Sequence, residues 1–182
     1  MRPALRRWLL LGILITLVVA VDQVTKHWVV DHLVLGQAIQ PIPAISDLFE
    51  IVRSHNAGAA FGFLPQAGDI FLVVAILAVI GMIFFYPRIP DGARITRIAT
   101  GLVVGGALGN ALDRLQYGSV IDFIHYQIPG VISNVSNLAD HAIVFGVLLI
   151  FLESWRLDRE KGSDTPTADT PQTDDSTPSP QA

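Results

Sequence analysis

The chain has 182 residues, 51% hydrophobic and only 15% charged, with a net charge of -4 and a mean hydropathy of +0.50. That balance excludes an ordinary soluble globule and describes a membrane protein. The absence of cysteine excludes disulfides, thiol nucleophiles and thiolate metal sites together.

Four hydrophobic runs follow in chain order. The first is Trp8 to Ala20, extending through VDQVTKHWVV. A span needs about 17–25 residues, so this run reaches that length only with Asp22 at or near its outer end. Arg2, Arg6 and Arg7 before it resemble the basic region of a signal peptide. Later runs are equally hydrophobic, so the first is read as an uncleaved span. Residues 30–69 come next, with Pro41 and Pro43, and VLGQAIQ and FEIVRS read as short strands. They predict a small β-rich platform on the membrane surface, because two strands alone need packing support.

The second run is Ile70 to Tyr86, and YPRIPDGARITR turns the chain tightly into the third, Ile95 to Leu112. Gly101, Gly105 and Gly109 recur every four residues in that run, beside Gly106. In lipid such a stripe permits close helix packing. GGALGN lacks the Lys-Ser/Thr ending of a phosphate loop. An outer loop over 113–137 leads to the fourth run, Leu138 to Trp155. Residues 162–182 carry four Asp, four Pro and no Lys or Arg, which predicts a disordered acidic tail after a membrane domain of residues 1–161. The sign of that tail disfavours nucleic acid as a partner.

Nine basic residues (Arg2, Arg6, Arg7, Arg88, Arg94, Arg97, Arg156, Arg159, Lys161) fall on one side of a four-span arrangement. Lys26, Arg53 and Arg114 fall on the other. The positive-inside rule then predicts cytoplasmic termini. The fold expected is an all-α membrane protein, a four-transmembrane-helix bundle carrying an extracytoplasmic platform.

On that topology the polar groups at the outer span ends meet at one face. They are Asp22 and Lys26 in DQVTK, Asn56 in SHNAGAAFG, Asn110, Asp113 and Arg114 in GNALDR, Asp122 in GSVIDF, and Asn137 and Asp140 in SNLAD. Asp22 and Lys26 are spaced to pair on one helical face, and with Arg114 they read equally well as interface anchors. Asp122 and Asp140 differ, having no Lys or Arg within four positions. A lone carboxylate there costs about 2–3 kcal/mol even on insertion scales, which favours a functional role. Two approaching carboxylates resist joint ionisation and share a proton. One can take a proton from water while the other donates to a carbonyl oxygen. No serine has a G-x-S-x-G setting and there is no H-E-x-x-H. Asp122, His125, Asp140 and His141 form only a loose metal pattern, so neither metal nor cofactor is expected. Rival readings are a small ion or solute carrier and a non-catalytic membrane chaperone. A carrier would need polar groups along a transbilayer path, whereas these gather at one end.

With those residues assembled, residues 8–155 resemble bacterial lipoprotein signal peptidase, the signal peptidase II family. The resemblance rests on DQVTK, on NAGAAFG with Asn56, Gly58, Phe61 and Gly62, on GNALDR, on VIDF and on NLAD. It implies an aspartyl endopeptidase with Asp122 and Asp140 as catalytic dyad. Its substrate would be a diacylglyceryl-prolipoprotein met within membrane lipid and cleaved before the lipidated cysteine, and globomycin-like inhibitors would occupy the dyad. It further implies that Asn56, Asn110, Arg114 and Asn137 bind or orient substrate or the dyad, with Asp22, Lys26 and Asp113 in support. Two positions depart from the family pattern. Ser136 stands where Phe is usual, removing an aromatic contact, and His141 follows Asp140 in place of a small residue.

Overall fold

The computed structural model describes residues 3–58, 68–128 and 130–163. Four helices are long and apolar enough to cross a membrane. They are α1 (Pro3–His32), α2 (Gly68–Phe85), α3 (Arg94–Tyr117) and α4 (Leu138–Ser163). Strands β1 (Ala38–Ile39), β2 (Phe49–Asn56), β3 (Val120–Ile128) and β4 (Ile132–Ser136) make one antiparallel sheet in the order β1-β2-β3-β4.

Helix α1 does not end near Asp22. At 1.5 Å per residue its 30 residues span roughly 45 Å, against about 30 Å of hydrocarbon. The helix therefore carries Asp22 and Lys26 on a buried face and continues ten residues further to meet the sheet. Helix α2 is apolar from Ile70 onward and stops at a 3-10 turn, Tyr86–Arg88, where Pro87 has no N–H to continue it. The turn into α3 is stapled by Arg97, whose guanidinium donates to the carbonyls of Ile89 (3.1 Å), Pro90 (2.6 Å) and Asp91 (3.1 Å).

Helix α3 is the centre of the bundle, packing on α1, α2 and α4. The glycine stripe is the reason. Gly101 faces Leu14, Gly105 faces Val18 and Gly109 faces Asp22, so α1 and α3 run parallel in one constant register. The same register brings Lys26 to Asp113. Gly106 lies on another face of α3, against the Ala139 carbonyl and Ile143 of α4. Lower down, Thr96 donates to the buried carboxylate of Glu153, tying α3 to α4 at the opposite end.

The second outer stretch is not a loop. Residues 120–136 form a hairpin that completes the platform, and Asp122 lies in β3 opposite Ser54. Val120, Ile121, Asp122, Phe123 and Ile124 are all buried, so the first half of this strand is covered on both faces and shows no polar alternation. Phe123 and Ile124 pack with Val29 of α1 and with Leu33 just past its end, seating the sheet on the helix end. Strand β2 carries one extra residue between Ile51 and Ser54. In that irregularity Arg53 donates to the carbonyls of Val30 and Leu33, each at 2.9 Å, satisfying the end of α1. Gly118, at φ 71°, closes α3 with a bond to the Arg114 carbonyl and turns the chain into β3.

A methyl group at Gly106 would run into the Ala139 carbonyl of the α4 backbone as well as Ile143. Gly106→Ala is expected to destabilise the bundle by about 1–3 kcal/mol. Gly12→Ala, with nothing within 4 Å of the added carbon, is expected to be neutral or slightly stabilising. Thermal unfolding of both variants in one detergent checks this.

Candidate active site

The base of the site is an ion cluster sealed from solvent. Lys26, Asp22 and Asp113 are each no more than 1% exposed. The ammonium lies 2.8 Å from Asp22 and 2.7 Å from Asp113. Buried charge is tolerated only when every lone pair and proton is met, and here nearly every partner comes from another element. Asp22 accepts the Ala139 amide of α4 at 2.9 Å, and Asp113 accepts the Ile121 amide of β3 at 3.0 Å. Gln23, which the sequence motifs do not single out, donates to Asp113 at 2.8 Å, to Asp22 at 3.3 Å and to the Gly109 carbonyl at 3.2 Å. It sits inside DQVTK, so its place beside two key residues was the available signal.

From this base, three asparagines carry order to the two remaining carboxylates. Lys26 donates to Asn110 Oδ1 at 3.0 Å. An ammonium is only a donor, so the amide nitrogen of Asn110 must face the other way, and it donates to Asp140 Oδ1 at 2.7 Å. Asn137 caps α4: its Oδ1 accepts the Asp140 backbone amide at 2.9 Å. Its Nδ2 then donates to Asp122 Oδ1 at 2.6 Å. An ionised aspartate would also cap the helix but could not donate, whereas asparagine supplies both an acceptor for the cap and a donor for the carboxylate. Asn56 repeats the logic on β2, accepting from Gly58 N–H at 3.1 Å and donating to Asp122 Oδ2 at 2.9 Å. Each amide is oriented by a donor-only group behind it.

Asp122 and Asp140 therefore come from β3 and α4 and are joined through Asn137. Asp122 is 2% exposed and Asp140 half-buried. Burial pushes the Asp122 carboxyl up to about 6; the Asp140 charge adds to this, while the Asn56 and Asn137 amides and Lys26 oppose it. Asp140 also lines a cavity of about 500 Å³ with Asn56, Gly58, Asn110, Arg114 and Tyr126. Asp122 is not among the lining residues but is hydrogen-bonded to Asn56, which is. Val144, 59% exposed on α4, borders the same cavity, so the opening is apolar on its helix side.

Arg114 donates to the Asn110 carbonyl at 3.3 Å, while its buried Nε has no partner among the described residues. Arg114 is itself one of the residues lining the cavity. Ser136 is buried at the end of β4, and the missing aromatic ring there leaves Asn137 held from both ends. The His141 ring is engaged by the Asn137 carbonyl at 2.6 Å and by Tyr126 Oη at 3.2 Å. His125 projects from the sheet face opposite Asp122 and is taken up by Glu50 (2.8 Å) and Ser133 (2.9 Å). The four-residue metal pattern is therefore not assembled. Phe61 and Gly62 lie outside the described residues.

A family model described as Signal peptidase (SPase) II matches residues 14–156. The lipoprotein signal peptidase of Bacillus subtilis is 37% identical over 137 residues, covering 75% of this chain and 87% of that protein. That of Halothermothrix orenii is 33% identical over 147 residues, covering 81% and 96%. That of Desulfitobacterium hafniense is 39% identical over 153 residues, covering 84% and 97%. Among solved structures, a bacterial membrane enzyme determined by the in meso method at 2.3 Å superposes with a TM-score of 0.74 at 28% identity, covering 88% of this chain and 94% of that one. A second, at 1.9 Å, has a TM-score of 0.70 at 31% identity, with coverage of 79% and 90%.

Lys26→Met would leave Asp22 and Asp113 facing one another without their cation. It is expected to cost about 3–5 kcal/mol. Adding Asp113→Asn should recover part of that loss, as read by chemical or thermal unfolding in detergent.

Proposed function

The chain belongs to the signal peptidase II family and is a membrane peptidase, and from that premise we propose that it removes the signal peptide from diacylglyceryl-prolipoprotein. Cleavage falls just before the lipidated cysteine. Asp122 and Asp140 act as an aspartyl dyad on one water, without a covalent intermediate. The observation that carries this reading is the amide bracket: Asn56 and Asn137 on Asp122, and Asn110 on Asp140, with Asn137 touching both residues.

The chemistry follows from unequal environments. The sealed Asp122 holds a proton to higher pH than an ordinary carboxyl, while Asp140 faces the cavity. Of two such groups, the ionised member draws a proton from water and the protonated member donates to the scissile carbonyl. As the tetrahedral centre collapses, the leaving amine regains a proton and the pair returns to its starting charge. The titration belongs to the pair as a whole. Arg114 lines the cavity and carries guanidinium N–H donors suited to substrate backbone carbonyls. The apolar border at Val144 suits a signal-peptide helix or acyl chains arriving laterally from the bilayer. A globomycin-like cyclic peptide would compete for the same cavity.

The catalytic unit is residues 1–161. The arginines at the bundle end away from the sheet support cytoplasmic termini and a site at the extracytoplasmic surface. Prolipoproteins present their cleavage junction on that surface.

Asp122→Asn and Asp140→Asn are each expected to lower cleavage of a diacylated prolipoprotein by roughly 10²-fold or more. Unfolding temperatures should be retained. Normal processing by either variant would overturn the dyad. The pH profile of kcat/KM should show a limb near pH 6, from the raised carboxyl. Because the Asn56 amide lowers that value, Asn56→Ala should move the limb to higher pH; a shift to lower pH would contradict the assignment.

A further inference from the structure

At the end of the bundle away from the carboxylates, a second cavity of about 540 Å³ opens between the first turns of α1 and α3. Its walls have two characters. One part is cationic: Arg6, Arg7, Arg94 and Arg97, with Asp91 as the one acidic residue. The other part is apolar: Leu9, Leu10 and Ile13 from α1 and Ile98 from α3. These residues are 50%, 38%, 55% and 38% exposed, so the apolar wall is open to the surrounding lipid.

The arginines are not equivalent. Arg97 is buried and spends its donors on the turn before α3. Arg7 and Arg97 both pair with Asp91, which neutralises one of them. Arg6 and Arg94 are exposed and have no side-chain hydrogen bond or ion pair among the described residues. On α1, Arg6 stands one turn before Leu9 and Leu10; on α3, Arg94 stands one turn before Ile98, so on each helix the cation and the apolar wall share a face. Two free guanidiniums over an apolar channel match a phosphodiester with its acyl chains below it.

We propose that this cavity binds an anionic phospholipid of the adjacent leaflet, its phosphodiester held by Arg6 and Arg94 and its acyl chains lying along Leu9, Leu10, Ile13 and Ile98. Such a lipid would bridge the first turns of α1 and α3. It would reinforce the parallel register that carries Lys26 to Asp113 at the other end.

Delipidated full-length protein in neutral detergent would be titrated with a short-chain phosphatidylglycerol, the same-chain phosphatidylcholine and inorganic phosphate, with Tm as the readout. Phosphatidylglycerol is expected to raise Tm saturably, with an apparent affinity about tenfold or more above either comparator. The doubly substituted Arg6→Gln, Arg94→Gln chain is expected to lose that response with its lipid-free Tm unchanged. Equal responses to both lipids, a response to inorganic phosphate matching that to phosphatidylglycerol, or an undiminished response in the variant would overturn the site. If the variant does not fold, the wild-type chain carries the test through native mass spectrometry from vesicles of equal phosphatidylglycerol and phosphatidylcholine. Preferential retention of phosphatidylglycerol supports the site and equal retention overturns it. These readouts register lipid alone, so their outcome is independent of peptidase activity.

Discussion

The buried contact of Lys26 with Asp22 and Asp113 is the constraint on which the rest of the upper bundle depends. A cation and two carboxylates without solvent are stable only if their remaining valences are met in place. Meeting them draws in the Ala139 amide, the Ile121 amide and the side chains of Gln23 and Asn110. Helices α1, α3 and α4 and strand β3 are thereby fixed to one point. A shift of one helix by a residue would strand a charge, which makes the cluster a register device as much as a source of stability.

That register begins in the apolar half of the bundle. Bare glycine surface lets the Leu14 and Val18 side chains of α1 seat directly on the α3 backbone, and Gly109 serves this purpose opposite Asp22. Close packing also excludes water from the cluster, which strengthens every interaction within it. The stripe that looks purely architectural is therefore coupled to the electrostatics one turn above it.

From the cluster outward, polarity is transmitted through asparagine amides. Asn110, Asn137 and Asn56 each have an oxygen committed to a donor and a nitrogen committed to a carboxylate. None can flip without breaking both ends. A site built this way needs little reorganisation when charge moves between the two aspartates, because the surrounding dipoles are already aligned. The sheet supplies the remaining constraint. β3 places Asp122 beneath Asn56 because the extra residue in β2 returns the strand to register at Ser54.

Much of this was written in local sequence. Four apolar runs, the glycine spacing, the arginine asymmetry and the polar groups at one set of span ends follow from hydropathy and helical period, which short windows contain. The Asp22–Lys26 pair was legible for the same reason, as residues four apart share a helical face. The pairing of β3 with β4 was not legible as strand, since the first half of β3 is covered on both faces and has no alternation to read, while Tyr126, Ile128 and Ile132 beyond it are exposed apolar residues. Nor could spacing show that Asn137 links a helix cap to a carboxylate on another strand, or that Gln23 joins the ion cluster. Those bonds cross between elements far apart in the chain, and their partners are decided only when the glycine register and the sheet bulge bring the elements to a common depth.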